Sequence, residues 1–140
     1  MTVEFEVVGL PAPQGSKTLM PNGALLDGKS PAARARHKAW RNAVAAAAMA
    51  TGHHYDCPLS VRVHFQMPMP KSRPAADRNR GWCWHAVKPD LDKLLRSTLD
   101  GITDGGLIKD DSRVASISAT ATEFDGEPFA VITIEELGYP

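Results

Sequence analysis

The chain has 140 residues, with 16 Lys/Arg and 16 Asp/Glu for a formal net charge of zero. That length suits one domain (1–140) with one modest core. No run approaches the roughly 18 apolar residues of a membrane span, and a neutral balance argues at first against a polyanionic partner. The balance hides an asymmetry. Residues 1–96 hold 14 Lys/Arg against 7 Asp/Glu, net +7, and residues 97–140 hold 2 against 9, net −7. Two readings stay open: an unevenly charged solvated surface, or a basic portion that attracts phosphates beside an acidic cluster that holds cations. Cys57 and Cys83 lie far apart and outside any CxxC pair, so both are expected as reduced thiols of a cytoplasmic protein, with no zinc site.

The opening "TVEFEVVGL" alternates Glu4 and Glu6 with Val3, Phe5 and Val7. That is a half-buried strand, and its charges at every second residue exclude a signal peptide as the expectation. "PAPQGSKTLMPNGALLDGKSP" follows, rich in Pro and Gly, and is expected as a loop or a loop with a short irregular hairpin. From Pro31 to Met49 the Ala-rich sequence predicts a helix that Gly52 ends, with Trp40, Val44 and Ala47 or Ala48 on one face. "PLSVRVHFQMP" is the clearest strand, with Leu59, Val61, Val63, Phe65 and Met67 on its apolar face. The next twenty or so residues, with Lys71, Arg73, Arg78, Arg80, Trp82, Trp84 and His85, are expected as a long functional loop.

"DLDKLLRSTLDGIT" predicts a second helix with an apolar stripe of Leu91, Leu94, Leu95, Thr98, Leu99 and Ile102, stopped by Gly105 and Gly106. "SRVASISATATEF" and "FAVITIEEL" read as two strands, with "DGEP" (Asp125 to Pro128) as a hairpin turn between them. The expected fold is α+β: a mixed sheet of about four strands and two main helices, in the order β-α-β-α-β-β.

Aspartates bracket the second helix. Asp90 and Asp92 stand at its start, and Asp110 and Asp111 follow the Gly-Gly turn. Carboxylates at a helix N-terminus cap free N–H groups, and a turn accounts for an Asp pair in the same way. The alternative is that the acidic groups converge on a hard cation such as Mg²⁺, which takes oxygen ligands and keeps waters. Arg96 lies four residues after Asp92. It is either half of an i,i+4 surface ion pair or a guanidinium aimed at a phosphate. Asp100, one turn on, is either solvated or a partner of Arg96. The two tryptophans are either packing and anchoring groups or platforms for an unstacked base.

"KPDLDKLLRSTLDGI…IKDDSRV" resembles the RusA family of crossover-junction endodeoxyribonucleases, the Holliday-junction resolvases of bacteria and phages. "GLPAPQGSK" is similar to that family's Pro-rich opening loop. The resemblance implies a RusA-like fold and a Mg²⁺-dependent homodimer, with Mn²⁺ as a substitute metal. It implies symmetric nicking of two strands of a four-way DNA junction, in recombination and repair, leaving 5′-phosphate ends. It places the metal ligands on Asp90, Asp92 and Asp111 with Asp110 beside them, and the basic catalytic residue on Arg96. Where asparagine is common in the family, this chain has Lys93. Junction DNA is expected to contact Lys17, Lys71, Arg73, Arg78, Arg80, Lys88, Lys93, Trp82 and Trp84. The competing readings are a non-cleaving junction-binding module and a metal-dependent phosphohydrolase acting on another nucleic acid.

Overall fold

The computed structural model describes residues 1–15, 17–19, 25–27 and 30–139, with the backbone alone for 17–19 and 25–27. The side chain of Lys17 therefore lies outside the described residues.

The first strand, β1 (Thr2–Val8), follows the predicted alternation. The Pro- and Gly-rich stretch holds a two-stranded antiparallel hairpin, β2 (Lys17–Leu19) with β3 (Leu25–Asp27). Helix α1 (Pro31–Ala50) starts where Ser30 accepts the Ala33 N–H at 3.2 Å and Pro31 occupies the first turn. Both are standard helix-start chemistry. Its buried residues are Trp40, Val44 and Ala48. Strand β4 (Leu59–Pro68) buries all five predicted apolar positions. Helix α3 (Leu91–Asp104) is separated from it by a short helix α2 (Ala75–Arg80) and a short strand β5 (Trp82–Trp84). A 3-10 turn (Asp111–Arg113) leads into β6 (Val114–Phe124), and β7 (Phe129–Glu136) ends the ordered core.

The main sheet has the order β1-β7-β4-β6-β5. Only β4 and β6 run parallel. Helices α1 and α3 pack against each other on the side to which β4 points its apolar residues, and the opposite face carries Arg62, His64, Gln66 and Thr120. This is the expected mixed α+β fold, with five strands in place of about four.

Three sequence expectations change. The segment from Pro68 to Val87 is not one long loop. "WCW" alternates, so Cys83 turns inward and both tryptophans turn outward, and the strand pairs with the edge of β6. "DGEP" is not a hairpin turn, because β6 and β7 are not neighbours. The wholly apolar face of β4 takes the centre, and the connection from Asp125 to Pro128 passes its end. The buried face of α3 is also rotated from the predicted stripe. It comprises Leu94, Ser97, Thr98, Gly101 and Ile102, leaving Leu91 36% exposed and Leu95 and Leu99 half-buried.

That rotation follows from how closely α3 meets α1. A Cβ at Gly101 would lie 2.7 Å from Val44 Cβ, and one at Gly105 would lie 2.4 Å from the Ala45 carbonyl oxygen. The run of small residues on α1 accepts this approach. Trp40 Nε1 donates to Thr98 Oγ1 at 3.1 Å, and the Arg41 guanidinium bonds both oxygens of Asp104. Gly105→Ala is expected to cost about 1–3 kcal/mol, the usual penalty for overpacking. Urea unfolding measures it, and an unchanged midpoint would contradict this contact.

Candidate active site

Asp90 occupies the N-cap position of α3, yet its side chain makes no capping hydrogen bond. Its carboxylate is about half exposed, and the nearest cation is Lys93 Nζ at 4.0 Å. Asp92 lies exposed in the first turn. Arg96 is exposed one turn further on and forms no ion pair with Asp92 among the described residues. The Asp92–Arg96 ion pair is thus not realised among the described residues, and Asp90 makes no side-chain cap. Asp90, Asp92 and Arg96 are all exposed at the start of the helix.

The second acidic pair lies at the other end. Asp111 Oδ1 accepts from Thr103 Oγ1 at 2.7 Å, in the last turn of α3. Thirteen residues separate Asp90 from Thr103, which at about 1.5 Å per residue is about 20 Å along the helix. Within one chain the four aspartates therefore do not converge. The Gly105–Gly106 turn does not carry the chain back along α3, because Leu107 and Ile108 are buried at once. The Tyr55 N–H donates to the Leu107 carbonyl at 2.8 Å and the Lys109 N–H donates to the Tyr55 carbonyl at 2.9 Å, which pins this segment beside the helix end. Among the described residues no three His, Cys, Asp or Glu side chains form a metal-sized cluster.

Asp110 and Asp111 differ. Asp110 caps the 3-10 turn by accepting the Ser112 N–H, and those hydrogen bonds with Ser112 hold its carboxyl below the usual range. Asp110 thus performs the turn role, and Asp111 faces Thr103. Asp100 is partly buried and makes no ion pair with Arg96 among the described residues. It approaches Arg41 Nη1 at 3.7 Å, and burial raises its pKa.

Beside Asp90 lies a buried charged network centred on Glu123, which is 1% exposed. Arg73 donates to both of its oxygens, at 2.6 and 3.0 Å. His85 Nδ1 lies 2.7 Å from Oε2, and the Cys83 thiol donates to Oε1 at 3.4 Å. The Arg73 guanidinium, followed by the His85 and Cys83 bonds, overcomes burial and holds the Glu123 carboxyl at about 2. Burial pushes the Cys83 thiol upward, with Glu123 adding to the shift. His85 Nε2 reaches the Pro89 carbonyl oxygen at 3.1 Å. The network therefore ties strand β6 to the residue that precedes Asp90. Its signal in the sequence is one of phase. Glu123 continues the positions Ile117, Ala119 and Ala121, so it points to the same face as they do.

The remaining basic and aromatic residues divide. Arg73 is committed to Glu123 and is not a free phosphate contact. Lys71, Arg78 and Lys88 are exposed. Arg80 pairs with Asp77, donates to the Trp82 carbonyl at 2.9 Å and lies 5.6 Å over the Trp82 ring. Trp82 and Trp84 meet edge to face at 5.3 Å and are 40% and 64% exposed. No helix among the described residues is long and apolar enough to cross a membrane.

The sheet, the two packed helices and these side chains define a class, a small α+β domain that presents two carboxylates and a guanidinium at the exposed start of one helix. The model of one family, endodeoxyribonuclease RusA, matches residues 17–135, most of the 140-residue chain, and the chain belongs to that family. No curated protein matches it. Family membership carries an endodeoxyribonuclease activity class and the resolution of Holliday junctions as its type.

Proposed function

We propose that the protein is a Mg²⁺-dependent homodimeric endonuclease that resolves four-way DNA junctions by paired nicks leaving 5′-phosphate ends. The observation that carries this reading is the exposure of Asp90, Asp92 and Arg96 together at the start of α3 in a chain of this family. Two carboxylates suit Mg²⁺, which is commonly held by one or two of them with waters and substrate phosphate. Asp90, Asp92 and a partner chain's Asp111 equivalent would be its protein ligands. The bound cation would supply Lewis acidity toward the phosphodiester. Arg96 binds the scissile phosphate and stabilises the charge that develops on it. It serves as a fixed cation, since a guanidinium does not readily give up a proton. Lys71, Arg78 and Lys88 contact flanking phosphates.

The 20 Å or so between the two acidic pairs favours a two-fold dimer over a monomer. If two copies of α3 lie antiparallel with the axis near Leu95 and Leu99, Asp92 of one chain comes level with Thr103 and Asp111 of the other. The surface there is apolar enough to be covered. Leu91 is 36% exposed, and the core-side face of β6 is open, with Ile117 45% exposed. Such an isologous pairing repeats every contact and gives two sites for a junction of similar symmetry.

Labelled synthetic four-way junctions, with linear duplex and flap controls, test the reading. Paired nicks on the junction alone support it. Binding without cleavage in Mg²⁺ favours the binding module, and equal cleavage of linear DNA favours a general phosphohydrolase. Arg96→Ala is expected to lower the nicking rate about 100-fold, in the range for losing one charge-stabilising donor. Arg96→Lys is expected to recover part of this, because charge returns without the bidentate fork. A rate unchanged in Arg96→Ala would remove the residue from the site.

A further inference from the structure

Next to Asp90 the chain forms a cleft of about 710 Å³, within the roughly 300–1,000 Å³ usual for small-ligand sites. Its lining is largely apolar, with Pro11, Pro13, Met67 and Val87 among the residues that form it. The proline wall is fixed to α3. Ser97 Oγ donates to the Ala12 carbonyl at 2.6 Å, and the Gln14 N–H donates to the Lys93 carbonyl at 3.2 Å. Arg36 and Lys88 also line the cleft, both exposed and neither in an ion pair among the described residues. Gln14 lines it too, and its carboxamide oxygen is buried with no hydrogen-bond partner among the described residues. A buried polar atom left in this state is costly and calls for a donor.

We infer that this cleft receives one unstacked nucleotide of the branched DNA. The base slides between the proline and aliphatic walls, an N–H on its edge donates to Gln14, and the attached phosphate rests on Arg36 and Lys88. The assignment rests on the junction-nuclease reading and deepens it, because a nucleotide held here lies beside Asp90. The chemistry selects the occupant. A free phosphate uses the cations but leaves the apolar walls and the Gln14 oxygen uncovered. A stacked, paired base cannot enter, whereas a branch point offers unpaired bases at low cost. The bound nucleotide would also make Gln14 a determinant of which sequence is nicked, since base edges differ in their donors.

The test uses four-way junctions carrying 2-aminopurine at single positions around the branch point, titrated with the whole protein in EDTA so that no cleavage intervenes. Stacking in DNA quenches this base, and the cleft has aliphatic and proline walls with no tryptophan, tyrosine or phenylalanine. At least one position is expected to brighten severalfold on binding. The filling variant Ala33→Leu/Val87→Met is expected to lose the brightening and to weaken junction binding about tenfold, with the remaining complex still seen by mobility shift. Gln14→Ala is expected to weaken the brightened complex about threefold to tenfold, the worth of one hydrogen bond. A junction that binds but brightens at no position overturns the cleft assignment and leaves the nuclease reading standing. Unchanged brightening in the filled variant also overturns it, by putting the unstacked base elsewhere. If the wild type binds no junction at low salt, the nuclease reading fails and the assignment falls with it.

Discussion

Mixed dimers of Asp92→Asn and Asp111→Asn chains are expected to nick one strand of a four-way junction, although each variant alone is inert. The expectation follows from the length of α3. Asp92 and Asp111 lie at opposite ends of a 14-residue helix, so a site that uses both takes them from different chains. Asparagine keeps the shape of the side chain but loses the negative charge that a divalent cation needs. In the mixed dimer one site collects both defects and the other collects none. One intact site gives one nick and no paired product. Were each site built within a single chain, both sites of the mixed dimer would be damaged and it would stay inert. Two affinity tags on co-expressed chains isolate the mixed species, and strand-specific end labels count the nicks. Asp110→Asn serves as a comparison. Asp110 is engaged with Ser112 at the 3-10 turn, so its loss is expected to be milder than that of Asp111.

The features of the site that lie along the chain were legible in the sequence, and the features that depend on packing were not. Asp92 and Arg96 share a helix face because they are four residues apart, and Asp90 stands just before the helix in the extended backbone that precedes it. The distance between the two acidic pairs was not legible. It depends on the direction of the chain after Gly106, where Leu107 and Ile108 enter the core beside Tyr55. The strand patterns of β1, β4, β6 and β7 were readable, but their order was not. "DGEP" has the composition of a hairpin turn, and it is the apolar face of β4 that inserts that strand between β6 and β7. The stripe on α3 was misplaced because Ser97 and Gly101 are buried for reasons of approach and hydrogen bonding, which hydrophobicity does not encode. Glu123 was missed although its phase along β6 matches that of the apolar residues. A carboxylate in such a phase is tolerated only with partners, and these come from residues 38 and 50 positions away.

Those partners set the second large effect. Arg73→Ala is expected to destabilise the fold by about 3–5 kcal/mol, because it leaves a buried carboxylate without its main counter-charge. That is a large part of the roughly 5–15 kcal/mol by which domains are stable. Glu123→Gln is expected to cost less, since an uncharged amide still accepts from Arg73 and His85. The dependence on pH has a defined sign. The folded carboxyl is held at about 2, below its ordinary value of 4.5. Its contribution is therefore complete above about pH 4.5 and disappears as pH falls toward 2. Asp56, Asp104 and Asp110 are also lowered, so the acid loss due to Glu123 is the difference between wild type and Glu123→Gln. Urea midpoints taken at pH 7, 4.5 and 3 measure it. Wild type is expected to lose its advantage over Glu123→Gln across that interval, and an advantage that stays constant would show that Glu123 is not charged in the fold. The same network reaches the Pro89 carbonyl through His85, one residue from Asp90. A loss of nicking in Glu123→Gln at a temperature where its fold is intact would therefore show that the buried network positions the site as well as stabilising the sheet.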